Sequence, residues 1–235
     1  MSIYITGDTH GHIDIGKLNS SNFPEGKDLT KDDYVIILGD FGLIWDVNES
    51  GKQEQYWLDW LNDKPWTTYV ILGNHCNYDR LNKCKKVTDK YGNSLRKIHE
   101  SIFWMENGIH HLDGKTFFTF GGGTSIDKNR RTEYVSWWRQ EIPTNQEFDY
   151  ALGTIDRNRC VDYVLTHSCP ESVKEYLFDG FHYKLNIKCP VELFLDLVDD
   201  KLDYRKWFFG HYHIDKEVNR NMQSVYYDII KLKEK

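Results

Sequence analysis

The sequence predicts an α/β fold with a largely parallel sheet and a second sheet that is antiparallel in part. Four apolar, β-favouring runs predict the first: Ile3-Tyr4-Ile5, Tyr34-Val35-Ile36-Ile37-Leu38, Tyr69-Val70-Ile71-Leu72 and Tyr163-Val164-Leu165. Runs of this kind, unbroken by alternation and separated by helical periodicity, read as strands buried on both faces and joined by crossovers. The second sheet follows from a change of pattern. Residues 102–105, 109–112 and 116–120 are short strands joined by tight turns, with no helix between them.

Taken in order, the chain opens with a strand at Ile3-Tyr4-Ile5 that ends in Thr6-Gly7-Asp8-Thr9-His10-Gly11. Residues i and i+2 of an extended chain point to one side, so Asp8 and His10 are expected to present a carboxylate and an imidazole together. Alone, such a pair could equally cap a loop. A short helix is expected at 13–18, and the Tyr34 run then ends in Gly39-Asp40-Phe41-Gly42. Tyr56, Leu58, Trp60 and Leu61 among polar neighbours predict an amphipathic helix over 52–62, stopped before Pro65. The Tyr69 run ends in Gly73-Asn74-His75-Cys76. The basic stretch 80–97 reads as a solvated helix or loop face. Gly121-Gly122-Gly123 lacks the lysine pattern of a phosphate loop and reads as a strand exit near a cleft. Helices are expected at 146–158 and, started by its proline, at 190–200. The Tyr163 run ends in Thr166-His167, Trp207-Phe208-Phe209 leads into Gly210-His211-Tyr212-His213, and 223–230 supplies a closing strand.

With 235 residues and no repeat or linker, the chain is expected to form a single domain over 1–235. A net charge of -6 leaves no basic excess for gripping long nucleic acid. There is no N-terminal basic-then-apolar signal and no apolar run of membrane-spanning length, so no membrane partner is expected. Five cysteines, an odd number without a C-x-x-C, point to free thiols in a reducing, cytoplasmic setting.

The strand ends carry the chemistry. Asp8 and His10, Asp40, Asn74, His167, and His211 with His213 all lie at carboxyl ends of strands, the side of a parallel sheet where α/β proteins bind ligands. Two carboxylates, one amide and four imidazoles exceed what one ion needs. They suit two ions bridged by a carboxylate, and Asp40, alone on its strand end, is the best bridge. Cysteine is absent from the set, which argues against a structural zinc site.

Together these blocks, Asp8-x-His10, Gly39-Asp40, Gly73-Asn74-His75, His167 and Gly210-His211-x-His213, resemble the calcineurin-like metallophosphoesterase superfamily. The resemblance spans residues 6 to 213. It implies a four-layer α/β/β/α sandwich with two mixed β-sheets and a dinuclear site for two divalent ions, most often Mn²⁺, with Fe or Zn as alternatives. One ion would take Asp8, His10, Asp40 and His213, and the other Asp40, Asn74, His167 and His211. A hydroxide bridging the ions would attack phosphorus in line, with His75 as general acid at the leaving group.

The chain departs from the family pattern in two places. Cys76 stands where well-known members carry an acid after Asn-His. It reads either as a small buried residue or, beside an imidazole and two cations, as a thiolate. Leu43 and Ile44 occupy the positions of the Asp-Arg pair found in the Ser/Thr phosphatase branch. The expected activity is therefore hydrolysis of a small phosphodiester or nucleotide. A phosphoprotein phosphatase is the alternative, and a non-catalytic metal-binding scaffold for an unknown protein partner is a second. His12, Arg130 and Arg131 are candidates for substrate contact, each with solvation as the competing reading. At most one of His110 and His111 can reach the cleft, and Trp137-Trp138 reads as packing.

Overall fold

The computed structural model describes residues 1–178 and 188–233. Its strands are β1 (Ile3–Thr6), β2 (Tyr34–Ile37), β3 (Thr67–Val70), β4 (Lys85–Thr88), β5 (Ser94–His99), β6 (Ile102–Met105), β7 (Gly108–Leu112), β8 (Lys115–Phe120), β9 (Cys160–Thr166), β10 (Asp203–Phe209), β11 (Lys216–Glu217), β12 (Met222–Ser224) and β13 (Ile229–Lys231). The helices are α1 (Lys52–Asn62), α2 (Tyr78–Leu81), α3 (Asn145–Arg157), α4 (Glu171–Lys174) and α5 (Pro190–Lys201). One sheet runs β13-β1-β2-β3-β6-β5-β4, and the other β11-β12-β10-β9-β8-β7. Both are mixed, with parallel centres (β1-β2-β3-β6 and β12-β10-β9-β8) and antiparallel edges.

Strand alternation builds three cores and hence four layers. Ile3, Ile5, Ile36 and Tyr69 of the first sheet meet Phe117, Tyr163, Leu165 and Phe208 of the second in the central core. The opposite faces turn outward. Tyr4, Val35, Ile37 and Val70 pack on Leu58 and Leu61 of α1, while Phe118, Phe120, Val164 and Trp207 pack on α3 and α5 through Ala151, Ile155, Val191 and Leu195. The order is α/β/β/α. A capping box closes the start of α3, Thr144 accepting from Glu147 N–H and the Glu147 side chain from Thr144 N–H. Among the described residues no helix is long and apolar enough to cross a membrane. All five cysteines are free.

Four expectations are corrected. The 13–18 segment is only a 3₁₀ turn, over Ile15–Leu18. β3 sits earlier than the Tyr69 run, because Leu72 leaves the ladder and its carbonyl accepts Gly122 N–H (2.9 Å) from the end of β8. The stretch 80–97 holds β4 and most of β5 rather than a solvated helix or loop face. β4 is the edge strand, and its lysines blunt further pairing there; β5 lies between β4 and β6. The closing strand at 223–230 is two strands in different sheets, β12 and β13. Between them the Asp215 carboxylate accepts the N–H groups of Tyr226, Tyr227 and Asp228, which removes those donors from any ladder.

Candidate metal centre

The carboxyl ends of β1, β2, β9 and β10 bring the expected ligands into two adjacent groups. Asp8, His10 and His213 form one, and Asp40, His167 and His211 the other; within each, the ligand atoms lie within 4.8 Å of one another. Extended geometry is not what converges them. His10, Asp40, His211 and His213 all have positive φ (43°, 37°, 70° and 54°), a conformation that non-glycine residues adopt at a cost of about 1–3 kcal/mol each. The chain turns at each strand end, and the turns aim the side chains. Gly39 shows how tightly: with φ of 111°, a Cβ there would lie 1.9 Å from His167 Nδ1.

Asp40 stands between the groups. Its Oδ2 is 3.7 Å from His10 Nε2, and its Oδ1 is 3.6 Å from His167 Nε2. Asp8 Oδ2 faces His213 Nε2 at 3.3 Å and His10 Nε2 at 3.8 Å, while its Oδ1 accepts His211 N–H at 3.0 Å. Burial works to raise both carboxyls, but the facing imidazoles, His167 first, hold them below the usual range. Burial alone would lower His10; hydrogen bonding to Asp40 and the charges of Asp40 and Asp8 outweigh it and push the imidazole up to about 9. His211 is pushed down to about 3 by burial and by His167.

The donor set fits cations. His167 Nδ1 donates to Leu38 O (2.9 Å), which leaves Nε2, 2.9 Å from Asn74 Oδ1, as the ring nitrogen open to an ion. The amide orientation is fixed: Asn74 Nδ2 donates to Ser125 Oγ (3.0 Å), and Ser125 Oγ donates to Glu141 Oε2 (2.5 Å). With Nε2 deprotonated, as a metal ligand must be, two acceptors this close would repel each other. Ligands held by one ion at about 2.1 Å lie roughly 3 Å apart at right angles, so a shared cation relieves the contact. Buried Asp8 and Asp40 ask for the same thing. At the other group, His10 Nδ1 is 2.6 Å from Asp14 Oδ2, which turns Nε2 toward Asp8 and Asp40. Sequence reasoning missed Asp14, Ser125 and Glu141; only Asp14, four residues from His10, carried a local signal.

A cleft of about 520 Å³ opens beside both groups, lined by Asp40, Asn74, His75, His211 and His213 and, farther out, by Ile126, Asp127, Lys174, Phe178 and Tyr212. His75 donates its backbone N–H to Asp40 Oδ1 (2.8 Å), and its ring lies 4.0 Å from Asp40 Oδ2 through Nε2. Its Nδ1 is buried with no partner among the described residues. Burial lowers its pKa, with Asp40 opposing. Arg131 donates to Asp127 Oδ2 (2.8 Å), so it reaches the cleft wall through a carboxylate. His12 and Arg130 are exposed and do not line the cleft; His12 meets the edge of Trp45. Neither His110 nor His111 lines it: His110 is buried against Glu106 O, and His111 is exposed. Trp138 packs in the outer core of the first sheet. Cys76 is buried, and without ions in the site burial with the Asp40 charge pushes its thiol up to about 12, in keeping with the small-residue reading. Leu43 and Ile44 are buried in the same outer core.

A search of curated proteins finds no match. Among solved structures, one similar to this chain is a protein serine/threonine phosphatase from Saccharomyces cerevisiae with similarity to human phosphatase PP5. The two share 14% identity and a TM-score of 0.35, over 96% of this chain and 67% of that one. Residues 1–215 match the family described as Calcineurin-like phosphoesterase, a span that contains every residue of both ligand groups. With the ligands of that span assembled at the strand ends, the chain belongs to the calcineurin-like phosphoesterase family.

Proposed function

We propose that the protein hydrolyses a small phosphodiester or nucleotide at a dinuclear centre, one position built by Asp8, His10, Asp40 and His213 and the other by Asp40, Asn74, His167 and His211. The observation that carries this reading is Asp40, whose two oxygens face one ligand group each. Bound divalent ions would supply Lewis-acid polarisation of the phosphoryl oxygens and activation of a water for in-line displacement. The all-nitrogen-and-oxygen donor set supports Mn²⁺, with Fe and Zn as alternatives. The free thiols support a reducing, cytoplasmic setting.

His75 is the proposed general acid. Its backbone tie to Asp40 fixes the residue beside the ions while the ring faces the cleft. Burial keeps the imidazole neutral in the free cleft, and an anionic phosphoryl group arriving beside it raises its proton affinity again. A phosphoprotein phosphatase is the second reading; the burial of Leu43 and Ile44 as core residues leaves no acid and arginine at those positions to serve it. The test is hydrolysis of bis-p-nitrophenyl phosphate against p-nitrophenyl phosphate by Mn²⁺-loaded protein. Preference for the diester is expected, preference for the monoester favours the phosphatase, and turnover of neither returns the chain to a binding scaffold. His75→Ala should retain both ions and much of its rate on nitrophenyl esters, yet lose about 10²–10⁴-fold on alkyl esters, whose leaving oxygen needs a proton. Equal losses on both ester types would remove His75 from that role.

A further inference from the structure

The family match ends at residue 215, yet the chain beyond it returns to the metal centre. After β12 in the second sheet, residues 225–228 cross to β13 in the first and pass over the turn that carries Asp8 and His10. Three features fix them there. Gly7 admits the crossing: a Cβ on it would lie 2.0 Å from Val225 O and 2.7 Å from Tyr226 Cα. Buried Lys17 donates from Nζ to Gly7 O (3.0 Å), Asp8 O (2.7 Å) and Tyr226 O (2.5 Å), tying both backbones to one ammonium. The Asp215 carboxylate accepts N–H from Tyr226, Tyr227 and Asp228 at 2.6, 2.9 and 3.1 Å.

Placed in this way, Tyr226 touches both histidines of the first group. Its ring stacks on His213 with centroids 4.7 Å apart and planes 16° apart, and it meets the edge of His10 at 6.4 Å. Its hydroxyl donates to Asp14 Oδ2 at 3.1 Å, the oxygen that also faces His10 Nδ1 at 2.6 Å. The hydroxyl of Tyr227 donates to Asp14 Oδ1 at 3.2 Å. The carboxylate that orients His10 is thus itself held from both oxygens.

We infer that Asp14 and Tyr226 are positioning residues for the first metal position, and that residues 225–228, outside the family-matched span, are a working part of the centre. The inference rests on the dinuclear reading above. An acceptor at Nδ1 fixes the tautomer that leaves Nε2 free for an ion, and losing such an outer partner costs about 10–100-fold in metal affinity. Stacking on His213 acts on entropy: an otherwise mobile side chain is ordered before the ion arrives.

The experiment titrates metal-free wild type, Asp14→Asn, Tyr226→Phe and Tyr226→Leu with Mn²⁺ by calorimetry, with elemental analysis of bound metal and thermal melts of the metal-free proteins. Asp14→Asn should weaken one ion by about 10–100-fold and leave the other unchanged. Tyr226→Phe keeps the stack and should weaken the same ion less, and Tyr226→Leu more. Wild-type affinities in Asp14→Asn, equal weakening of both ions, or a lower melting temperature with both affinities intact would each overturn the assignment while leaving the dinuclear reading standing. Fewer than two ions in wild type would overturn both.

Discussion

The first ligand group faces solvent through His213, whose side chain is 49% exposed, whereas the second closes around His167, whose side chain is 0% exposed. Their supports differ in kind as well. Around the first stand charged and aromatic groups: Asp14 on His10, Tyr226 on His213 and Lys17 beneath the turn. Around the second stand a backbone carbonyl on His167 and the Glu141-Ser125 pair that orients Asn74. The two groups, with Asp40 between them, are thus solvated and braced in different ways. Exposure lets water compete for the ligands, so the first ion should exchange the faster and respond to pH, and the second should be held the more firmly.

Asp40→Ala offers the sharpest way to break this comparison, because it removes the one anion both positions share. Both ions should weaken by more than the roughly 100-fold upper range for an outer partner, and phosphoesterase activity should go with them. Elemental analysis that finds two ions retained would refute the bridge. Next in size are His213→Ala and His167→Ala. Each should deplete one ion and spare the other, His213→Ala the readily exchanged one and His167→Ala the slowly exchanged one, as read by chelator-exchange kinetics. Identical exchange profiles in the two variants would erase the distinction between the positions.

The comparison also makes a prediction about pH dependence. In the metal-free protein His10 is pushed up to about 9, so it is protonated at neutral pH and must release that proton to bind an ion. Affinity at the first position should therefore rise with pH by about tenfold per unit and level off above the His10 value. His211, pushed down to about 3, has no proton to release, so the second position gains no such slope from it. Mn²⁺ titrations between about pH 6 and 9 should resolve one sloping and one flatter affinity; two parallel slopes would contradict the account.

The same contrast explains what could be read from the sequence. The buried parallel strands and α1 announce themselves because both depend on apolar periodicity, which is local. The candidate ligands were legible because each follows such a strand. β4 and β5 were hidden, since an edge strand and its neighbour rich in lysine and arginine lack a continuous apolar signature. The split of 223–230 into β12 and β13 depends on Asp215, whose carboxylate meets those amides only after the chain has turned. Asp14, Tyr226, Ser125 and Glu141 are ordinary polar residues in sequence, and they gain meaning through partners up to 212 residues away. The positive φ values at four candidate ligand positions were invisible for a related reason: glycine advertises that conformation, whereas histidine and aspartate, though enriched there, adopt it in only a minority of positions.

Anomalous diffraction at the manganese edge, from crystals grown with Mn²⁺, tests the central claim most directly. The account predicts two peaks per chain about 3.5–4 Å apart, one among Asp8, His10 and His213, the other among Asn74, His167 and His211, with Asp40 touching both. A single peak, or two peaks with Asp40 bound to only one, would contradict it.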